Sequence, residues 1–432
     1  MNNYHLLRSS GLVLLACVLC LGDVSAAFGR VTIITGGISV KEGLDSNVDR
    51  TENEERAEWT TDISPSFELN SKGPIDSLQL RYAPAAHLNH RSNESTVNHS
   101  LNLDANRILT EQFKIRVKNK FVRTDEPAGD SDSIQQDEGG IVLADDRGKS
   151  RYWTNSFSMG TDYEYTKNSF LNLGYSNQVL ENSTTTRSDY TKHNPTLSLS
   201  YHVNPRWSLG TSLGYTKGQF DLSENIDSYN GGVTYGFHGI PHHTIGTSYN
   251  LEDTSYDGAT PDYTTHSLGI NWQHDMNPQT SIAASVGGAL ASRQGEDDEK
   301  NLNLSLNFSR KFQLGTFSLS GSSGFESLQY NGNNDGLSRY RTLQSRMGYQ
   351  LLQDLTAGLN ASAREDSLLD QTPDEEKKSY GAGCSLTYSF KRWYALSAKY
   401  DYLNLNSSTT GASYDDHRLS FTLSYRKELT RF

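Results

Sequence analysis

The sequence has little of what most chains of its length rely on. Only 3 cysteines occur among 432 residues. Cys17 and Cys20 lie in the first apolar stretch, so the rest of the chain has Cys384 alone and cannot close an internal disulfide. That excludes a stapled extracellular scaffold. Proline (10) and methionine (4) are scarce. Hydrophobic residues make up 34% and mean hydropathy is -0.65, which excludes a bundle of transmembrane helices. Beyond the N-terminus no run approaches the roughly 18 consecutive apolar residues of a helical span. Basic excess is also missing. The net charge is -12, whereas a dedicated nucleic-acid binder is normally basic. Tyrosine (24) and glycine (36), by contrast, are abundant. The chain is too aromatic for a disordered acidic polymer. It must shelter aromatics while much of it stays polar.

The N-terminus sets the compartment. Met1 to Ser10 is polar and carries Arg8, Gly11 to Leu21 is apolar, and Val24-Ser25-Ala26 supplies small residues. This three-part pattern predicts a secretory signal cleaved between Ala26 and Ala27. The chain divides into a leader, 1–26, and a mature part, 27–432. The apolar run is too short for a bilayer, which needs roughly 20 residues. A lipoprotein reading, with Leu14-Leu15-Ala16-Cys17 as lipobox, competes. It would strand Val18 to Leu21 just after the lipid anchor.

Most of the mature part alternates apolar and polar residues. Trp59, Thr61, Ile63, Phe67 and Leu69 share one parity, and Leu78, Leu80, Tyr82 and Leu88 another. The pattern recurs through Leu197, Leu199, Tyr201 and Val203, through Leu302, Leu304, Leu306 and Phe308, and through Leu419, Phe421, Leu423 and Tyr425. Successive strand side chains point to opposite faces, so each stretch has one apolar and one polar side. Tight turns are expected at Ser71 to Pro74, Thr110 to Gln112, Thr166 to Asn168, Asn204 to Arg206, Gly239 to Pro241, Asn277 to Gln279, Arg310-Lys311, Leu352 to Asp354 and Lys391-Arg392. Longer polar loops are expected between them, at Glu252 to Ala259, Arg293 to Lys300 and Ser367 to Lys378, and above all in the acidic stretch from Thr124 to Ser150.

A propeller has a similar period, but its blades hold four short strands and a signature missing here. A large soluble sandwich is the other competitor, yet sandwiches rarely use so many long strands in strict hairpin order. Strands of about 10 residues fit a tilted membrane crossing. Short turns on one side and long loops on the other match an outer-membrane barrel. The expectation is all-β: a single closed antiparallel up-and-down transmembrane barrel of roughly 18–20 strands, with short periplasmic turns and long external loops. Closure is required, because an open edge in hydrocarbon would leave backbone groups unpaired.

The opening of the mature part reads Gly36-Gly37-Ile38-Ser39-Val40, then Asp62-Ile63-Ser64-Pro65-Ser66-Phe67, then Leu78-Gln79-Leu80-Arg81-Tyr82. A Leu-rich stretch precedes Thr110-Glu111-Gln112. This order resembles the outer-membrane β-barrel porin family of Gram-negative bacteria, some of whose members are exopolysaccharide-associated. The resemblance implies a bacterial outer-membrane location. It also makes Phe432 similar to the terminal aromatic read by the barrel-assembly machinery. Phe432 has the opposite parity to Phe421, Leu423 and Tyr425, so a bulge must restore the phase or the last residues leave the wall.

Phe113, Ile115, Val117 and Phe121 face one way, while Lys114, Arg116, Lys118 and Lys120 face the other. Charge at mid-bilayer costs about 2–4 kcal/mol, so these four cations must point inward. Arg81 and Arg346 take the inward parity in their own stretches. The expectation is a basic pore lining that favours anionic solutes or polysaccharide. Local neutralisation by Asp104, Asp162 and Glu164 is the competing reading.

His238, His242 and His243 gather at a turn without a metal-ligand spacing. The other histidines, among them His87, are scattered, and Gly129-Asp130-Ser131 lacks a catalytic surround. No cofactor, metal or catalytic residue is expected. The sequence thus reads as a porin-like channel for passive solutes or exopolysaccharide. Its expected partners are outer-membrane lipid and lipopolysaccharide, the assembly machinery and polysaccharide-export components, with no nucleic acid. A structural barrel sheathing a periplasmic electron carrier or export component, and a hydrolase, are the alternatives.

Overall fold

The computed structural model describes residues 29–126, 149–330, 333–369 and 375–432. The leader with Ala26 and Ala27, most of the acidic stretch and Gly129-Asp130-Ser131 lie outside these residues. The described residues contain no helix. They form β1 (Val31–Asp45), β2 (Glu58–Lys72), β3 (Asp76–Asn89), β4 (Ser95–Thr110), β5 (Phe113–Thr124), β6 (Tyr152–Thr166), β7 (Ser169–Asn182), β8 (Tyr190–Asn204), β9 (Trp207–Phe220) and β10 (Ile226–Ile240). The second half holds β11 (His243–Tyr256), β12 (Tyr263–Asn277), β13 (Thr280–Arg293), β14 (Glu299–Phe312), β15 (Gly315–Tyr330), β16 (Asn333–Leu352), β17 (Leu355–Leu368), β18 (Glu375–Phe390), β19 (Tyr394–Ser407) and β20 (Tyr414–Arg431). Each strand pairs antiparallel with its neighbours in sequence. β1 pairs with both β2 and β20, so the 20-stranded sheet closes on itself.

Residues opposite one another in an antiparallel ladder share a face, so the register fixes both surfaces. One surface collects Leu69, Leu80 and Leu103 side by side, and Leu396 beside Leu423. The other collects Glu68 opposite Arg81 and Asp104 opposite Lys118. On the apolar surface Leu268 is 64% exposed, Leu213 58% and Ile270 57%. A sandwich would bury these side chains, whereas a barrel in hydrocarbon presents them to lipid.

The connections alternate in length as expected. One end of the barrel carries tight turns such as 111–112, 167–168, 205–206 and 278–279. Two turns sit beyond the predicted place. Ile240 and Arg310-Lys311 remain in strands, and the chain reverses at Pro241-His242 and Gln313-Leu314. His242 takes a φ of 63°, a left-handed value that suits the second corner of a tight turn after proline. At the other end the predicted loops shrink, because polar residues there still belong to strands: β11 runs to Tyr256, β13 to Arg293 and β17 to Leu368, while β14 begins at Glu299 and β18 at Glu375.

Those residues mark where the hydrocarbon stops. In four hairpins a tyrosine six residues into the rising strand meets a histidine diagonally across on the descending one. The pairs are Tyr82 with His99 (2.9 Å), Tyr175 with His193 (2.8 Å), Tyr249 with His266 (2.8 Å) and Tyr400 with His417 (2.8 Å). In β5–β6 the equivalent positions hold Asn119 and Asn155, also hydrogen-bonded, at 3.1 Å. Further toward the loops the outer face carries ion pairs, Lys217 with Asp227 (3.5 Å) and Glu365 with Arg341 (3.5 Å) and Lys378 (3.4 Å). Such charges belong outside the apolar slab. The strands therefore overshoot the bilayer as a collar. Toward the turns the outer face carries aromatics instead, Trp207 on Phe237, Trp272 on His274, and Tyr394 on Tyr425.

The β15–β16 hairpin leaves the wall. β14 holds β15 only as far as Leu304 opposite Ser323, while β15 and β16 stay paired to Tyr330 and Asn333. Above that point Leu337 and Leu369 pack with Tyr263 of β12 and Ala291 of β13, all nearly inaccessible. Arg293 of β13 donates to the Leu369 carbonyl at 2.7 Å, four strands away along the wall. The hairpin thus leans over the inner faces of β13 and β14 and narrows that end. Arg364 of β17 anchors its root. The guanidinium makes two 2.7 Å bonds to Asp366, pairs with Glu326 of β15 and lies over the Tyr340 ring.

The C-terminus stays in the wall. The register passes from Glu428 opposite Thr35 to Thr430 opposite Ile34, which leaves Leu429 as an extra residue. This bulge reverses the parity. Phe432 exchanges backbone hydrogen bonds with Thr32 at 2.7 and 3.0 Å and returns to the face of Phe421, Leu423 and Tyr425.

Two outcomes are expected. In lipid, a charged maleimide should label Ser198→Cys from the water-filled side and spare Leu197→Cys and the native, outward Cys384; equal labelling of neighbouring positions would contradict the two-faced wall. Arg364→Ala leaves the buried Asp366 and the half-buried Glu326 uncompensated and should cost about 3–5 kcal/mol in urea unfolding, whereas replacing all three ionic side chains by apolar ones should cost far less.

Candidate functional site: the inner wall

The inner surface divides into two unlike sectors. From β7 to β14 it is built mainly of serine, threonine, asparagine and glycine. Asn172 donates to Ser198 at 3.2 Å, Ser281 bonds Ser309 at 2.8 Å, and Ser285 bonds Ser305 at 2.9 Å. Charged side chains in this sector sit near strand ends: Lys192, Glu252, Arg293 and Glu299 toward the loops, Asp275 and Lys311 toward the turns. Glycine lets neighbouring strands coil closely here. A Cβ at Gly287 would lie 2.1 Å from the Leu268 carbonyl oxygen.

The other sector carries the charge. Lys114, Arg116, Lys118 and Lys120 all lie on the inner face of β5, with Arg81 two strands away on β3. Arg116 pairs with an acid, Asp162, at 2.7 Å. Lys114 shares a recess with Glu111, Asp162 and Glu164. Lys118 stands opposite Asp104, whose carboxylate also accepts from Asn106 at 2.9 Å. Arg81 stands opposite Glu68, which is itself held by Arg426 at 2.7 Å. Arg346 is exposed on β16, opposite Ser318 and Asn360. The structure thus brings the β3 and β5 cations together with the neighbouring acids and leaves Arg346 apart from them.

Sequence reasoning missed two inward clusters. One is Glu326, Arg364 and Asp366 at the hairpin root. The other is Asp62, His87 and Glu126 near the loop end, which converge within 4.8 Å. Alternation shows that the strand members point inward, but only the strand register shows that they meet.

The loop end is braced as well. Glu224, in the β9–β10 connection, accepts backbone N–H groups of Thr260 (3.0 Å) and Ala259 in the β11–β12 connection. Burial opposes its charged form, but these donors prevail and hold the carboxyl below its usual range. The clasp is strongest above that range and weakens as pH falls through the lowered value. Beneath the connections lies an inward apolar cluster of Leu180, Tyr190, Phe220 and Ile226.

Residues 330–427 match the family described as putative beta-barrel porin 2. That stretch spans nearly all of β16 to β20. No curated protein sequence matches the chain. Among solved structures, an enterobactin-bound mutant of the ferric enterobactin receptor from Pseudomonas aeruginosa is similar at 10% identity and a TM-score of 0.51, covering 91% of this chain and 81% of that one. The outer membrane protein opdK of the same organism is also similar, at 10% identity and a TM-score of 0.42, covering 91% and 98%. At such identity the receptor's likeness concerns the fold alone. With its closed wall of 20 strands and its apolar exterior, the chain is a porin-like β-barrel of the bacterial outer membrane, similar over residues 330–427 to the beta-barrel porin 2 family.

Proposed function

We propose that the barrel is a passive channel for hydroxylated solutes, with anionic saccharides, including exopolysaccharide, as the favoured class. One observation carries this reading: a wall of hydroxyl and amide groups on β7 to β14 shares its lumen with the cations of β3, β5 and β16. Hydroxyl and amide groups exchange hydrogen bonds with a passing sugar much as water does, so neither entry nor exit costs much. Arg81, Lys118 and Arg346 would add attraction for carboxylate or sulfate substituents. Their neighbours Glu68 and Asp104 limit that attraction and keep polyanions from being trapped. The alternation of lipid-facing and water-facing residues calls for no covalent chemistry. In the cell the barrel would sit among lipopolysaccharide, with export components docking at the turn end.

The purified protein in a planar bilayer should conduct, and a salt gradient should give a reversal potential of anion-preferring sign. Lys118→Glu combined with Lys120→Glu should move that potential toward cation preference while liposome swelling in neutral disaccharide stays unchanged. A cation-preferring wild type would remove the role given to the β5 cations. Absence of swelling would remove the saccharide channel itself.

A further inference from the structure

The convergence of Asp62, His87 and Glu126 serves no purpose in solute passage. Asp62 and His87 are opposite one another on the inner faces of β2 and β3, near the loop end. Glu126 lies two residues beyond the end of β5. His87 Nδ1 lies 2.6 Å from one Asp62 oxygen and 2.9 Å from Glu126 Oε1. The imidazole is almost sealed, with a side-chain exposure of 2%, and its Nε2 has no partner. Asp125, adjacent to Glu126, is 7% exposed; its Oδ2 accepts from Thr96 at 2.9 Å, and its Oδ1 is buried without a partner. A buried carboxylate oxygen lacking a donor marks a place short of positive charge.

We propose that Asp62, His87 and Glu126 form a binding site for a divalent transition-metal ion of the zinc class. One imidazole nitrogen and two carboxylate oxygens suit zinc better than magnesium or calcium, which prefer an all-oxygen shell. Without a metal, Nδ1 must carry a proton, since both of its partners are acceptors. With a metal, that proton is released and the ligand atoms move apart to roughly 3.3 Å, as bonds of about 2.0–2.1 Å require. Glu126, 37% exposed, can swing to allow it. Further groups approach the cluster from the neighbouring strands. Lys41 on β1 lies 4.0 Å from the other Asp62 oxygen, Thr96 faces His87 from β4, and Asp125 lies beside Glu126. Binding would fasten the start of the β5–β6 connection to β2 and β3.

The test uses the full chain in detergent, freed of metal by a chelator and titrated with zinc by calorimetry and with cobalt by visible absorption. The expected result is one ion per chain. Binding should weaken at least about tenfold in Glu126→Gln and in His87→Asn. Glu126→Gln alters a partly exposed connection, so it keeps the test valid if His87→Asn fails to fold. No stoichiometric binding, or binding that survives in Glu126→Gln with unchanged affinity, would overturn the proposal. The latter result would assign the ion to outward histidines such as the stacked His243 and His274 pair. The readout is independent of conductance, so it stands or fails apart from the channel reading.

Discussion

Everything in this molecule answers to the lack of water in hydrocarbon. A backbone amide there must find its partner in the protein, because no solvent will replace it. The ladder between β1 and β20 meets that demand for the two strands that would otherwise be edges. Leu429 shows how closely the demand is observed. One surplus residue would turn the last side chains toward the wrong medium, and the bulge absorbs it without ending the ladder. Phe432 then keeps both its backbone partners and its outward face.

Pairing leaves the side chains to decide which face meets which medium. Alternation answers this along most of each strand, and it changes character at a definite height. Below the tyrosine–histidine pairs the outer face is mainly aliphatic and aromatic, with cations such as Arg310 only near the turns. Above them it carries ions. Each histidine spends one ring nitrogen on a tyrosine hydroxyl, which reduces what an imidazole costs at the border of the slab. The asparagine pair at the same level in β5–β6 meets the same need with different residues. Recurrence of one solution at one height around the cylinder is what a membrane boundary imposes.

Much of this was legible in the order of the residues. A period of two is local, and Leu197, Ser198 and Leu199 declare their faces without help from other strands. The turns at Asn204 to Arg206 and Asn277 to Gln279 were equally plain, since asparagine and proline mark them. Arg310-Lys311 misled because a charged pair resembles a turn when its strand has already left the hydrocarbon. The polar ends of β11 and β13 read as loops for the same reason. What could not be read was anything that depends on register. Asp62 and His87 are far apart in the chain until β2 and β3 align them, and Glu126 joins only when β5 ends at their level. The lean of β15–β16 was hidden for another reason. Alternation continues through Phe325 and Leu337, but the aromatic and aliphatic side chains there bury against Tyr263 and Ala291 rather than facing lipid.

That lean also bears on how the lumen divides. A sector of serine, threonine and asparagine has few strong preferences, because each group can replace a lost protein hydrogen bond with one to water or solute. A sector of paired charges has fixed preferences, because Arg116 and Asp162 already satisfy one another and respond only to an ion that competes for one of them. Folding the hairpin over β13 and β14 covers part of the neutral sector at the loop end. The β5 cations begin at Lys114, beside the tight turn, so both sectors line the turn half of the lumen. A passing solute would meet them at one height, with the charged strands sorting by sign and the neutral ones setting how easily it leaves.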